Sequence, residues 1–378
     1  MKIIVTDVGS RKSFDLINIL QYVYNYDLIL CSSKDYHFQL RLIYGQKVHR
    51  LRIDDFNDFK LDFSELLEQY TTEELVYMPL TDKTTKNFYQ YLKVNTVSNL
   101  GYLLPKESDY YLTCDKLKFQ SYCENNEFPV PKSYGTKDIE SFHKNFSPLI
   151  VKPYIGAGSV GIKHIDTATQ LNILKKIDLS QYIIQDKIIS QEKVSGAFFL
   201  CKQGKVVSAY THQRLRTFPS NGGVTVYSRS TENIEIISIG ADFLKKLNWN
   251  GFAMIEFLFD QTTQEWKIIE LNPRLWGSLL LSTFIGNNML QDYVNLCLGR
   301  VLEENKTVLK KGFIRWIYPF DILNLIKGEI GIKDFFKFNI KETGYINFTY
   351  SNPLRSFFYI IYFSFNMSSI TRFFKKIF

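Results

Sequence analysis

The sequence predicts a mixed α/β and α+β chain, with a parallel α/β unit first, an antiparallel body next and a short basic, aromatic extension last. Three observations carry this. Short apolar runs alternate with helix-like stretches over residues 1–108. Two hairpin patterns in the middle hold an unusual density of glycines, lysines and carboxylates. Most of the surplus positive charge then falls after Lys310.

The N-terminal unit reads Ile3-Ile-Val5 as a strand, Phe14 to Tyr24 as a helix, and Leu28-Ile-Leu30 as the next strand. Leu75-Val-Tyr-Met78 follows as a later strand, closed by Pro79, and Lys86 to Lys93 as a helix. Such alternation argues for a parallel sheet covered by helices. Gly9 stands alone after the first strand, without the glycine repeat of a dinucleotide site, so the unit's own ligand stays open.

A helix from Asp115 to Asn125 carries Lys116 and Lys118 and is broken by the prolines of Phe128-Pro-Val-Pro-Lys132. Next comes Leu149-Ile-Val-Lys152, then Gly156, Gly158, Ser159 and Gly161, then Ile162-Lys-His-Ile165. The glycines match G-x-G-x-x-G, but that fingerprint must open a helix, and here an alternating strand follows. The better reading is a glycine-rich loop between antiparallel strands, folding over a triphosphate, with Lys152 as a point charge on the phosphates. A bare hairpin turn is the plain alternative, and it needs fewer glycines.

Gln181-Tyr-Ile-Ile-Gln185 is an apolar strand running into the polar connection Asp186 to Glu192, which resumes at Ala197-Phe-Phe-Leu200. Further on, Gly251 to Asp260 and Trp266 to Arg274 flank a polar turn at 260–264, which places Glu256 roughly opposite Glu270. Alternation puts Glu270 and Asn272 on one face. Facing carboxylates inside apolar strands repel and are costly to bury; a hard divalent cation with oxygen ligands removes both penalties. A solvated outer face is the plain alternative here.

In this order the motifs resemble the ATP-grasp superfamily, in the carboxylate–amine ligase and carbamoyl-phosphate-synthase-like branch. The likeness covers roughly residues 1–300. The seven-residue step from Gln185 to Glu192 is similar to the adenine-to-ribose step of D-alanine–D-alanine ligases. The resemblance implies a pre-ATP-grasp domain over 1–108, a two-lobed ATP-grasp domain over 109–305 and an extension over 306–378. A glycine-loop lobe of about 128–187 would face a metal-binding lobe of about 188–305.

Residue by residue, it implies that Lys116, Lys152, Gly156, Gly158 and Ser159 meet the phosphates of ATP. Gln185 with the Lys187–Ile188 backbone would hold adenine, and Glu192 the ribose. Glu256, Glu270 and Asn272 would hold Mg2+, with Mn2+ able to substitute. Arg274, in Glu-x-Asn-Pro-Arg, would act in catalysis beside Lys152 and Arg214. Gln185 stands where glutamate is more usual, and either side-chain oxygen accepts a hydrogen bond. The reaction implied is activation of a carboxylate as an acyl phosphate, then transfer to an amine, releasing ADP and phosphate. A carboxyphosphate-forming enzyme using bicarbonate and a non-catalytic nucleotide-binding protein are the alternatives.

Arg214 and Arg216, two residues apart, suit recognition of a carboxylate or phosphate. Unbroken alternation would put both on one face with His212, which could then assist proton transfer.

Length and composition bound the rest. At 378 residues, with 45% apolar and 22% charged content, two or three globular domains are expected. The opening Met1-Lys2-Ile-Ile-Val-Thr6-Asp7 lacks the apolar region of a signal peptide. Cysteines 31, 114, 123, 201 and 297 show no paired spacing, which fits reduced thiols in a cytoplasm. From Lys310 onward eleven Lys/Arg face four Asp/Glu, which supplies +7 of the chain's +8. Charge confined to one end argues against a nucleic-acid-binding body.

Ser356 to Thr371 has no charge and is densely aromatic; at sixteen residues it is shorter than the ~20 a spanning helix needs. It reads as a terminal helix packed on the ATP-binding body, or as a peripheral membrane contact through 354–378. Small-molecule carboxylate and amine partners are expected, and a homodimer is left open.

Overall fold

The computed structural model describes residues 1–33, 37–135, 146–156, 160–220, 222–302, 308–337, 339 and 341–365. Gly158 and Ser159 lie outside these, as does the chain from 366 onward.

Five parallel strands form the first sheet. These are β1 (Lys2–Val5), β2 (Leu28–Ser32), β3 (Val48–Arg50), β4 (Leu75–Met78) and β5 (Leu100–Gly101), ordered β3-β2-β1-β4-β5. Ile3, Ile4 and Val5 are fully buried, as expected of a central parallel strand covered on both faces. The helix Asp82–Val94 starts at Thr81, whose side chain and that of Thr84 cap each other's backbone. The predicted helix at 14–24 runs as an α-helix over Ser13–Asn18 and continues as a π-turn over Ile19–Val23.

A four-stranded antiparallel sheet follows, built of β6 (Ser133–Tyr134), β7 (Leu149–Pro153), β8 (Lys163–Ile165) and β9 (Tyr182–Asp186), in the order β6-β9-β7-β8. Strands β7 and β8, on either side of the glycine-rich stretch, pair antiparallel, as the hairpin reading expects.

The third sheet has seven strands: β10 (Ser195–Lys202), β11 (Lys205–Phe218), β12 (Val224–Thr231), β13 (Gly251–Asp260), β14 (Glu265–Asn272), β15 (Phe313–Arg315) and β16 (Thr343–Tyr345). Their order is β14-β13-β10-β11-β12-β15-β16. Residues late in the chain therefore extend this sheet. Arg216 and Arg315 both bind Asp321, whose side chain is fully buried, and this joins β11, β15 and the turn at Ile317–Asp321.

The first and third sheets share one core that includes Val76, Met78, Phe252, Trp276, Tyr293 and Trp316. The Tyr293 hydroxyl donates to the carbonyl of Tyr77 at 2.9 Å, and Gly251 lies so close to the Leu103 carbonyl that no Cβ would fit.

The terminal helix Pro353–Phe365 packs on the N-terminal unit and also meets the turn after β15, where the Ser364 hydroxyl lies 2.7 Å from that of Tyr318 and Phe363 lies 6.2 Å from Trp316. Tyr359 lies 4.3 Å from Phe14, and buried Arg355 donates to Asn18, Gln21 and the Tyr44 carbonyl. The inward face of this helix holds Arg355, Ser356, Tyr359 and Tyr362. Buried polar groups need fixed partners, and the helix 13–18 and its neighbours supply them.

Candidate active site

The hairpin of β13 and β14 sets the centre of the site. Glu256 pairs with Glu270 in register, and a bulge follows Glu256. Glu256 is 7% exposed, and burial raises its pKa, opposed by Arg214 and assisted by facing Glu270. Arg214 on β11 reaches across β10 to bind Glu256. Asn272 donates to Glu270 at 3.1 Å.

Two lysines converge on the same carboxylates. Asp115 caps the helix Lys116–Asn125, which fixes Lys116 in the first turn. Its Nζ lies 3.9 Å from Glu270 and donates to the Gly156 carbonyl at 2.8 Å. Lys152, on β7, is 5% exposed. Burial lowers its pKa to about 8; Glu270 and Glu256 oppose that and Lys116 adds to it. Gly156 has φ of 151° and open space around it. Lys116, Lys152, Gly156, Glu256, Glu270 and Asn272 thus come together from four separate stretches of chain.

Gln185 is buried on β9, where its Nε2 donates to Gln120 Oε1 at 2.7 Å. Gln120 in turn donates to Glu124 and to the Pro131 carbonyl, which fixes the pair. The backbone N–H of Lys187 donates to the Pro148 carbonyl, and the Lys187 side chain pairs with Asp166. Glu192 is exposed, its N–H held by the Ser190 hydroxyl.

Arg274 donates to Asp82 at 3.2 Å, and Tyr110 donates to the other oxygen of Asp82 at 2.7 Å. This ties the end of β14 to the first helical turn after β4.

The expected common face of His212, Arg214 and Arg216 is not observed. A bulge between Arg214 and Arg216 breaks the alternation, sending Arg214 to Glu256 and Arg216 to Asp321. His212 is 1% exposed and meets Phe198 edge-on at 4.6 Å. Burial, then Arg214, lower its pKa to about 3, so it is neutral and not placed for proton transfer.

Sequence reasoning missed Arg11 and Lys12. They follow β1 at the C-terminal end of the parallel sheet, between the neighbours β1 and β4, where the strand order reverses. That position was the available signal. Arg11 stacks on Trp316 at 4.2 Å, against Gly277, where a Cβ would fall 1.7 Å from its Nη2. Burial lowers its pKa to about 10, with Asp15 opposing, and Arg214 and Arg274 are close enough to lower it further. Lys12 donates to the carbonyls of Leu80 and Leu275, both at 2.7 Å. Arg11 and Lys12 therefore lie close to Arg214 and Arg274 where the first and third sheets meet, next to the carboxylate pair.

Residues 113–278, a little under half of the chain, match the ATP-grasp domain family. The chain is 21% identical over 252 residues to the carbamoyl phosphate synthase large chain of Methanobrevibacter smithii, covering 58% of this chain and 23% of that protein. Over 139 residues it is 27% identical to acetyl-CoA carboxylase 2 of Arabidopsis thaliana, covering 34% of this chain and 6% of that protein. The chain thus spans less than a quarter of the length of either.

Among solved structures, N5-carboxyaminoimidazole synthetase of Staphylococcus aureus superposes with a TM-score of 0.63 at 13% identity, covering 87% of this chain and 85% of that one. The biotin carboxylase domain of Hydrogenobacter thermophilus 2-oxoglutarate carboxylase, bound to MgADP and bicarbonate, gives 0.63 at 11% identity, covering 82% and 73%. At such identity the likeness is one of fold. Among the described residues no helix is long and apolar enough to cross a membrane.

Proposed function

We propose that this protein is an ATP-dependent carboxylate–amine ligase that activates an acid as its acyl phosphate and passes it to an amine, releasing ADP and phosphate. The observation that carries the reading is the register of Glu256 against Glu270, with Asn272, Lys116 and Lys152 drawn to the same pair. Two carboxylates and an amide, all oxygen donors, fit Mg2+, which keeps its other positions for water and phosphate. Mn2+ would accept the same donors. Bound there, the cation would neutralise charge on the β- and γ-phosphates.

The chain's own residues do the positioning. Lys116 and Lys152 hold the phosphates and gather charge on the γ-phosphoryl group as the substrate carboxylate attacks it. The glycine-rich stretch that Gly156 opens would cover the phosphates and exclude water from the acyl phosphate; Gly158 and Ser159, expected to take part, lie outside the described residues. Gln185 keeps its side-chain oxygen toward adenine because Gln120 takes its amide; the Lys187–Ile188 backbone completes that contact, and Glu192 accepts from the ribose. Arg274, Arg214 and Arg11 face the acid, so its second anionic group, or the attacking carboxylate itself, lies on their side of the cleft.

Within this reading residues 1–108 supply one wall, 109–305 the nucleotide site and 306–378 the extension. A homodimer and a cytoplasmic setting belong to the proposal. We infer also a peripheral membrane contact through 354–378, supported by the outward Leu354, Phe357, Phe358 and Phe365. A second reading takes bicarbonate as the acid, forming carboxyphosphate; the bicarbonate bound to the 2-oxoglutarate carboxylase domain favours it.

The test is ADP release with Mg-ATP against amino acids, dipeptides, sugar acids and bicarbonate, with products identified by mass. Turnover dependent on one acid–amine pair supports the ligase. ADP release on bicarbonate alone selects the second reading. Tight ATP binding without turnover on any pair leaves a macromolecular or lipid-linked acceptor, or a non-catalytic nucleotide-binding protein.

A further inference from the structure

A second cavity lies away from the nucleotide site, between the late turn of the third sheet and the terminal helix. Its volume is about 340 Å3, and its walls are Ile317, Tyr318, Tyr345, Ile346, Phe348, Tyr350 and Ile360, with Asn347. Small-molecule sites run from about 300 to 1,000 Å3, so this one is large enough for a chain of several carbons. None of its wall residues carries a charge, which excludes a nucleotide or a sugar phosphate. Asn347 is 4% exposed and its side-chain oxygen has no hydrogen-bond partner among the described residues, while its backbone N–H donates to Asp15. An apolar wall with one orphaned acceptor fits an amphiphile that brings a hydroxyl behind its hydrocarbon chain.

The helix that supplies Ile360 is amphipathic in the wrong sense for a solvated surface. Its inward face carries Arg355, Ser356, Tyr359 and Tyr362. Outward, Leu354 is 63% exposed, Phe357 57%, Phe358 40% and Phe365 84%. Their spacing of three, four and seven residues makes one stripe, and Ile360 stands one turn past Phe357, so the cavity wall adjoins that stripe. Arg372, Lys375 and Lys376 follow in the sequence with no acidic residue after Phe365, a charge complementary to anionic lipid.

Resting on the membrane contact inferred above, we propose that this face docks on an anionic bilayer and that the cavity beneath it takes the apolar chain of a membrane lipid. The stripe enters the interface, and the lipid chain leaves the bilayer beside Ile360.

The full chain is mixed with vesicles of phosphatidylcholine, with and without phosphatidylglycerol, and separately with a dansylated undecanoic acid. Cosedimentation with the anionic vesicles is expected, together with dansyl fluorescence excited through tryptophan, given Trp316 beside Ile317. Ile360→Trp fills the cavity and is expected to weaken probe capture about tenfold or more. The surface variant Phe357→Ser/Phe358→Ser is expected to keep probe capture and to lose vesicle binding by about tenfold or more, through lost interfacial burial. No capture by the wild type, or equal capture by Ile360→Trp, overturns the proposal. So does a dimer that dissociates in the double serine variant without any vesicle binding, which would assign the face to a second copy. ADP release measured on the same preparations separates failure here from failure of the ligase reading.

Discussion

Arg214 on β11 binds Glu256 on β13, across the intervening β10, while Glu270 faces the same glutamate from β14. Glu256 is thus held between a cation and a like charge, both supplied by its own sheet. A cation at the oxygens would relieve the repulsion, and Arg214 offsets part of it without one.

Glu270→Gln and Lys152→Ala are each expected to abolish ADP formation while leaving the fold intact. Circular dichroism melts alongside a coupled ADP assay check this. Wild-type turnover in either variant would remove these residues from the site.

Lys152 should make nucleotide binding pH-dependent. Burial lowers its pKa to about 8, so its charge is present below that value and lost above it. The affinity of the free enzyme for ATP is therefore expected to fall as pH rises past about 8. Lys152→Arg stays charged and should flatten the profile. A wild-type profile that is flat from pH 7 to 9.5 by isothermal titration would contradict this assignment.

Arg274→Met is expected to lower kcat by about 10²–10³, as loss of one preorganised charge donor does, with ATP affinity nearly unchanged. Gly277→Ala should act on Arg11 in a related way, since the new Cβ would fall 1.7 Å from its Nη2 and push it off Trp316. A raised KM for the acid without a change in ATP affinity is the expected signature, read by steady-state kinetics.

Asp321→Asn leaves Arg216 and buried Arg315 without their shared carboxylate. Breaking a buried ion pair from one side costs about 3–5 kcal/mol, so a clear fall in Tm by scanning calorimetry is expected. A Tm unchanged from wild type would show that the triad does not hold the late strands.

Asp15 is buried, and that raises its pKa to about 7, partly offset by the Asn347 N–H and Arg11. The folded state therefore binds this proton more tightly than the unfolded chain, whose carboxyl keeps its ordinary value of about 3.9. Its contribution to stability is full below that ordinary value and declines as pH rises toward about 7. Asp15→Asn keeps the acceptor for Asn347 and should remove that component, measured by urea melts from pH 4 to 8. The same slope in variant and wild type would assign it elsewhere.

The amino-acid order by itself determined the β13–β14 hairpin, the opposition of Glu256 and Glu270, the shared face of Glu270 and Asn272, and the strand–loop–strand around Gly156. These follow from period-two alternation and turn chemistry, which act between near neighbours in the chain. Tertiary structure alone decided the rest. The bulge that separates Arg214 from Arg216 depends on how β11 fits β12, and alternation cannot show it. Arg11 reaches the cleft only because residue 277 lacks a side chain and Trp316 supplies a platform, and these lie hundreds of residues away. The terminal helix chose the N-terminal unit because Asn18, Gln21 and the Tyr44 carbonyl satisfy Arg355 there. A buried guanidinium goes where its donors find acceptors, and chain order does not encode which distant segment holds them.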